Sequence, residues 1–256
     1  MNTTQTLTLL KASDQDFEWY PTTDEMIAVI ARNIGEPTSI MDIGAGDGRV
    51  LTALAGKRLA YTSLYAIEKA PLHLDNMPAH IAIVGTDFEQ QTLIDKDVSV
   101  VFCNPPYSQY EQWAVKIIKE ALCNTVYLVI PNRWAESGPI AAALESRGTK
   151  ARVLWSGDFT NAERRARATV DILSISLNEA DNGYGCRARK KDPFDTWFAE
   201  TFPEVEKIDH VPEEPPVDVR MNTEIMQGYN PGGSPRHPLQ TRPGANESVL
   251  SFALRH

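Results

Sequence analysis

Asn104-Pro-Pro-Tyr107 directly follows the apolar run Val98-Ser-Val-Val-Phe-Cys103, and the two consecutive prolines limit what the chain can do there. Each proline has a fixed φ and no backbone donor, so neither continues a central strand. The chain must leave its sheet at this point, with Asn104 at the strand's carboxyl end. In open α/β sheets, ligands bind at that end. The Asn104 side chain and the Pro105 carbonyl offer two acceptors, and Tyr107 adds a flat apolar face. Two acceptors match the two N–H bonds of an aromatic amine, and a ring suits stacking. An ordinary strand-ending turn uses the same residue types, so the tetrapeptide gains meaning only beside a second motif.

That motif is Ser39-Ile-Met-Asp-Ile-Gly-Ala-Gly-Asp-Gly-Arg49, a short apolar strand running into a glycine-rich loop and an apolar helix. Gly44, Gly46 and Gly48 allow tight dihedrals and close approach of a ligand to the backbone. The spacing departs from the dinucleotide fingerprint, and no Gly-Lys-Ser/Thr follows, so nicotinamide and P-loop chemistries are disfavoured. Asp42 and Asp47 make the loop acidic, which favours a cationic or polar ligand over a pyrophosphate. A second strand, Ser63-Leu-Tyr-Ala-Ile67, ends at Glu68, placed to accept from both ribose hydroxyls of a nucleoside. A third, Ile81-Ala-Ile-Val84, leads to Asp87 and Phe88. Asp87 can accept from an adenine amino group while Phe88 or Ile67 packs on the ring.

In these residues the chain resembles class I S-adenosylmethionine-dependent methyltransferases of the amino-methylating branch, which includes DNA N6-adenine methyltransferases. The matching residues are Asp42-Ile-Gly-Ala-Gly-Asp-Gly48, Glu68, Asp87-Phe88 and Asn104-Pro-Pro-Tyr107, in order, over roughly residues 14–178. Upstream, Phe17-Glu-Trp-Tyr-Pro-Thr22 is similar to the aromatic-Pro-Thr segment that closes over the cofactor in such enzymes. The chain is also similar to a set of phage and prophage methyltransferases with Trp-Tyr-Pro-Thr and Asn-Pro-Pro-Tyr segments. The resemblance implies Asn104, Pro105, Pro106 and Tyr107 as the catalytic set. It implies Tyr20, Pro21, Thr22, Asp42, Gly44, Gly46, Glu68, Asp87, Phe88 and Asn104 as contacts to S-adenosylmethionine.

The implied substrate is an adenine amino group in DNA, a duplex base flipped out or a single strand. Tyr107 is the first expected stacking residue. Phe159 is the second, in the loop Ser156-Gly-Asp-Phe-Thr160 where the resemblance places a base-contacting aromatic. Arg164, Arg165 and Arg167 share that loop and are expected to hold phosphate, and Trp134 lines the same mouth or the core.

Charge tests the nucleic-acid reading. The net charge is −9, which opposes phosphate binding, because affinity for duplexes rests largely on neutralising phosphates. Residues 1–100 hold 14 acidic residues against seven basic ones, whereas 147–167 carry Arg147, Lys150, Arg152, Arg164, Arg165 and Arg167. Arg187, Arg189, Lys190 and Lys191 follow. One basic face on an acidic protein remains compatible with DNA, and a solvated arginine-rich loop is the plainer alternative. RNA adenine or guanine methylation and protein-glutamine methylation use the same acceptor logic. A binding protein that keeps the fold without activity is the rival of another class.

The 256 residues suit one large domain with a tail. Three cysteines without metal spacing and no apolar run of membrane length lead to the expectation of a cytoplasmic, metal-free protein. A flexible segment over 1–16, a methyltransferase domain over 17–180, a docking segment over 181–202 and a proline-rich extended tail over 203–256 are expected. The pattern predicts helices opened by capping boxes at Thr22-Thr-Asp-Glu25 and Ser108-Gln-Tyr-Glu111. It also predicts a Rossmann-like, doubly wound α/β sheet of seven strands, the last two joined as an antiparallel hairpin.

Overall fold

The computed structural model describes residues 2–160, 162–164, 168–178 and 192–203. Short apolar runs between turns become a seven-stranded sheet, in the order β3-β2-β1-β4-β5-β7-β6. Its strands are β1 (Ser39–Ile43), β2 (Ser63–Ile67), β3 (Ile81–Gly85), β4 (Val100–Cys103), β5 (Thr125–Pro131), β6 (Ala151–Asp158) and β7 (Thr169–Ser176). The first five run parallel, and β7 is antiparallel to both β5 and β6. This is the doubly wound sheet with a final hairpin that the sequence predicts.

The helices are α1 (Thr3–Ala12), α2 (Asp24–Ala31), α3 (Arg49–Ala55), α4 (Pro71–Asp75), α5 (Tyr110–Glu120), α6 (Gly138–Ser146) and α7 (Pro193–Thr201). Both faces of the central strands are covered, as parallel sheets require. On β4, Val100 and Phe102 join the core beneath α2 and α3, while Val101 and Cys103 join the core beneath α5. Ala114, Ile117 and Ile118 of α5 are fully buried there. Truncating a buried ring such as Phe102 to Ala typically costs about 3–5 kcal/mol.

The strand order reverses between β1 and β4, which opens a crevice at the carboxyl ends of the strands. Register places the ends together: Ile43 pairs with Ile67 on one side and with Cys103 on the other. Gly44, Glu68 and Asn104 therefore leave the sheet side by side.

Several local expectations differ from the structure. Residues 3–12, expected to be loosely ordered, form α1. An Asn2–Gln5 capping box closes its start and fully buried Leu10 ties it down, two supports that outweigh its weak apolar stripe. The cap of α2 is Thr23, not Thr22, and accepts from Met26 N. The box at Ser108 does not form: α5 starts at Tyr110, and the Glu111 carboxylate instead accepts from Ser137 Oγ at 2.6 Å. Gly56, at φ +49°, ends α3 earlier than the apolar pattern suggests.

In α7, Phe194, Trp197, Phe198 and Phe202 pack chiefly on one another, and an ion pair from Lys119 to Glu200 links the helix to α5. The proline-rich stretch after Pro203, together with 179–191, lies outside the described residues. No helix among the described residues is long and apolar enough to cross a membrane, and no cluster of metal-ligating side chains occurs among them.

Candidate active site

A cavity of about 320 Å³ sits at the sheet's switch point. Its walls include Asp42, Gly44, Glu68, Asp87, Phe88, Asn104 and Pro106 from the strand ends, and Tyr20, Pro21 and Thr22 from the segment before α2. Ten of the sequence-predicted site residues thus surround one space. Three helical faces contribute further walls through Arg49, His73 and Trp113.

The glycine loop is shaped for close approach. Gly44 and Gly46 have φ of +78° and +54°, values that L side chains rarely adopt. A Cβ on Gly46 would stand 2.3 Å from Trp19 Nε1, so the indole of Trp19 lies against the loop backbone. Trp19 also meets the His73 ring edge-on at 4.4 Å. Trp19 belongs to the aromatic-Pro-Thr segment without a role of its own in the sequence, and His73 belongs to no motif. The signal for His73 is weak, being one histidine in a five-residue helix opened by Pro71.

Glu68 is buried, and its oxygens accept from Gly46 N and Ala70 N, both at 2.7 Å. These bonds fix the loop against β2, and each carboxylate oxygen keeps a further lone pair for a ligand. Burial holds the Glu68 carboxyl above the usual range despite those amides. Asp42 is pushed well up by burial, and then by the neighbouring Glu68 and Asp47 carboxylates. Its Oδ1 is buried without a partner. Burial also lowers the pKa of His73. Asp87 caps the turn 88–90 and pairs with Lys69 at 3.2 Å, a half-exposed contact. Buried carboxylates without a matching cation favour a positively charged ligand group.

Asn104 is the central amide. Its Nδ2 donates to the Tyr20 carbonyl at 2.9 Å and to Thr22 Oγ1 at 3.3 Å. Its Oδ1 is buried and has no partner within the protein. Pro105 is buried, and the Pro106 carbonyl accepts from Gln109 N to close the turn. Phe88 packs against Trp113 at 4.7 Å beneath the cavity floor. Cys103 is fully buried and its thiol is pushed well up by burial, which leaves no thiolate nucleophile beside Asn104.

The substrate-side expectations need correction. Phe159 is fully buried and packs on Tyr20 and Tyr107, because β6 runs on to Asp158 and turns the ring inward. In this structure it presents no face for stacking. Tyr107 stacks parallel to Tyr20 at 5.8 Å, and burial pushes its phenol strongly up. Its hydroxyl has no partner. Arg164 does not face solvent to await a phosphate: it pairs with Asp16 at 2.6 Å and lies over the Tyr20 ring at 4.2 Å. Arg147 also leaves the basic face, since it is buried and caps carbonyls of α5. Arg165 and Arg167 lie outside the described residues.

A scan against family models finds no match, and no curated protein matches the sequence. Solved structures do match. A dimethyladenosine transferase from Plasmodium falciparum aligns with a TM-score of 0.50 at 12% identity, covering 60% of this chain and 62% of that one. The E. cuniculi Mtq2–Trm112 complex, responsible for methylation of the eRF1 translation termination factor, aligns at 0.47 and 18% identity, covering 62% and 98%. The 23S rRNA methyltransferase ErmE aligns at 0.49 and 14%, covering 72% and 77%. At such identities the likeness concerns the fold, and the chain has the Rossmann-like fold of methyltransferases.

Proposed function

We propose that this chain transfers a methyl group from S-adenosylmethionine to the exocyclic amino group of adenine in DNA. The observation that carries the reading is the buried, unpartnered Asn104 Oδ1 at the cavity wall, with the other end of its amide fixed.

The donor set fits this cofactor. Gly44 gives close backbone approach, Glu68 and Asp87 offer acceptors for hydroxyl and amino groups, and Phe88 and Ile67 supply apolar wall. Asp42 and Glu68 favour a positively charged group, whereas Asp47 is already paired with Arg49 at 2.7 Å. When bound, S-adenosylmethionine supplies an electrophilic methyl carbon on a sulfonium.

The protein's own contribution is placement and polarisation. An adenine amino nitrogen is a poor nucleophile because its lone pair is delocalised into the ring. An N–H donated to Asn104 Oδ1, with the second to the Pro105 carbonyl, draws that nitrogen toward tetrahedral geometry and localises the pair. Held in this way, the nitrogen gains from proximity and from preorganised acceptors rather than from a strong base. As the N–C bond forms, the methyl group's bond to sulfur would break with its electron pair kept by the sulfur, and the amine proton, now acidic, would leave to water. A duplex base must flip out to reach Asn104.

A second reading is adenine in RNA. It is supported by the name of the Plasmodium falciparum structure, a dimethyladenosine transferase, while Arg164, engaged internally, favours neither nucleic acid. Incubation with methyl-labelled cofactor and DNA, RNA or protein, followed by digestion, tests both. Label in N6-methyladenine from DNA is expected. Label confined to RNA moves the assignment to the second reading, and label on protein or on no acceptor contradicts both.

A further inference from the structure

Residues 15–22 form a strap that walls the cavity, and its fastenings come from Leu72, Ser108 and Arg164, all distant in sequence. Asp14 and Glu18 both adopt φ of +57°, an unfavourable value for residues with a side chain. Surrounding contacts must hold them there. Gln15 Oε1 accepts from Leu72 N at 3.0 Å, and Glu18 Oε2 accepts from Ser108 N, just past Tyr107. The firmest grip is that of Arg164, in the connection between β6 and β7. One guanidinium nitrogen donates to Asp16 Oδ1 at 2.6 Å and to the Trp19 carbonyl at 2.7 Å, and the group lies over the Tyr20 ring. Both side chains of the ion pair are more than four-fifths buried. The neighbouring Glu163 accepts from Arg49 at 2.6 Å and from Thr3 at 2.7 Å, fastening α1 and the glycine loop to the same connection.

The grip continues inward. Tyr20, held by Arg164 on its ring, uses its carbonyl to accept from Asn104 Nδ2. We infer that Arg164 is a positioning residue: it latches the strap over the cavity and, through Tyr20, fixes the Asn104 amide with Oδ1 toward the substrate. This role rests on the proposed reaction for its functional half, while the latch itself rests on geometry alone. This role differs from holding a nucleic-acid phosphate, since Nη1 is committed to Asp16 and the Trp19 carbonyl.

The test compares Arg164→Gln, Arg164→Lys and the exchanged pair Asp16→Arg with Arg164→Asp in the full chain. Amide hydrogen exchange over residues 14–22 reports the latch without cofactor, and S-adenosylhomocysteine dissociation reports the closed cavity. Loss of a charged hydrogen-bonded pair should speed both by about tenfold or more in Arg164→Gln. Arg164→Lys should fall between, because it keeps the pair but loses the stack, and the exchanged pair should recover part of the protection. In transfer assays kcat should fall along with weaker cofactor binding, while nucleic-acid affinity stays within about twofold. Unchanged strap exchange, or weaker nucleic-acid binding with unchanged exchange, overturns the inference. If the wild-type protein does not bind S-adenosylhomocysteine, the proposed function fails, and the exchange data still decide the latch.

Discussion

The Asn104 Nδ2 donates to the Tyr20 carbonyl at 2.9 Å, and this bond leaves Oδ1 as the unpartnered end of the amide. A flipped amide would set Oδ1 against the Tyr20 carbonyl, two acceptors with no proton between them. The strap thus orients the residue proposed to act on the substrate. Oδ1 stays buried and unpartnered, a state that costs stability unless a ligand donor fills it.

Gly46 couples the strap to the glycine loop. Gly46→Ala places a methyl where Trp19 Nε1 now stands and imposes a left-handed dihedral on a residue with a side chain. We expect a loss of about 1–2 kcal/mol from the backbone alone, read as a lower melting temperature. Adding Trp19→Ala should restore the space but not the backbone cost, so the double variant should recover only part of the loss. A full recovery would show that the dihedral carries no penalty.

Asp42 sets a pH dependence. Burial, with Glu68 and Asp47 nearby, raises its folded pKa above the unfolded value. Such a group stabilises fully below its unfolded pKa of about 3.9, and that contribution is lost as pH rises through the higher folded pKa. At neutral pH the buried charge therefore works against the fold. Asp42→Asn should raise the melting temperature of the cofactor-free protein at pH 7–8, and the gain should vanish below about pH 4. A constant gain across that range would contradict the assignment.

Arg147 illustrates a basic residue that serves the core. Its guanidinium donates to the carbonyls of Ile118, Lys119 and Ala121, at 2.7–3.2 Å, and so closes the end of α5. Arg147→Ala should cost about 3 kcal/mol in urea unfolding, because charged hydrogen bonds are lost and buried carbonyls are exposed. Nucleic-acid binding should not change its salt slope. A stable variant with a reduced slope would return Arg147 to the surface role its neighbours in sequence suggest.

The half of the candidate site at the strand ends is legible because each of its residues follows a strand. Gly44, Glu68 and Asn104 come directly after Ile43, Ile67 and Cys103, and those three residues share one register row. Short apolar runs and prolines fix such ends locally. The strap's closure was not legible in the same way, because Arg164 and Asp16 are separated by 148 positions and neither carries a motif. Arg164 read as a phosphate contact since its sequence neighbours are basic, yet a nearby carboxylate and an aromatic face satisfy it within the protein. Phe159 reads as a base-stacking residue because the resemblance places an aromatic in the loop 156–160, but it is fully buried against Tyr20 and Tyr107. The Ser108 box failed because Glu111 found Ser137 in α6, a partner that only tertiary packing supplies.

The central claim is that Asn104 Oδ1 acts on the substrate amine rather than holding the fold. The most direct measurement is single-turnover methyl transfer by Asn104→Ala, alongside its affinity for S-adenosylhomocysteine. Loss of a preorganised acceptor predicts a rate lower by about 10²–10³-fold, with cofactor affinity within about threefold and a melting temperature close to wild type. Transfer at the wild-type rate, or a rate loss matched by an equal loss of cofactor affinity, would contradict it.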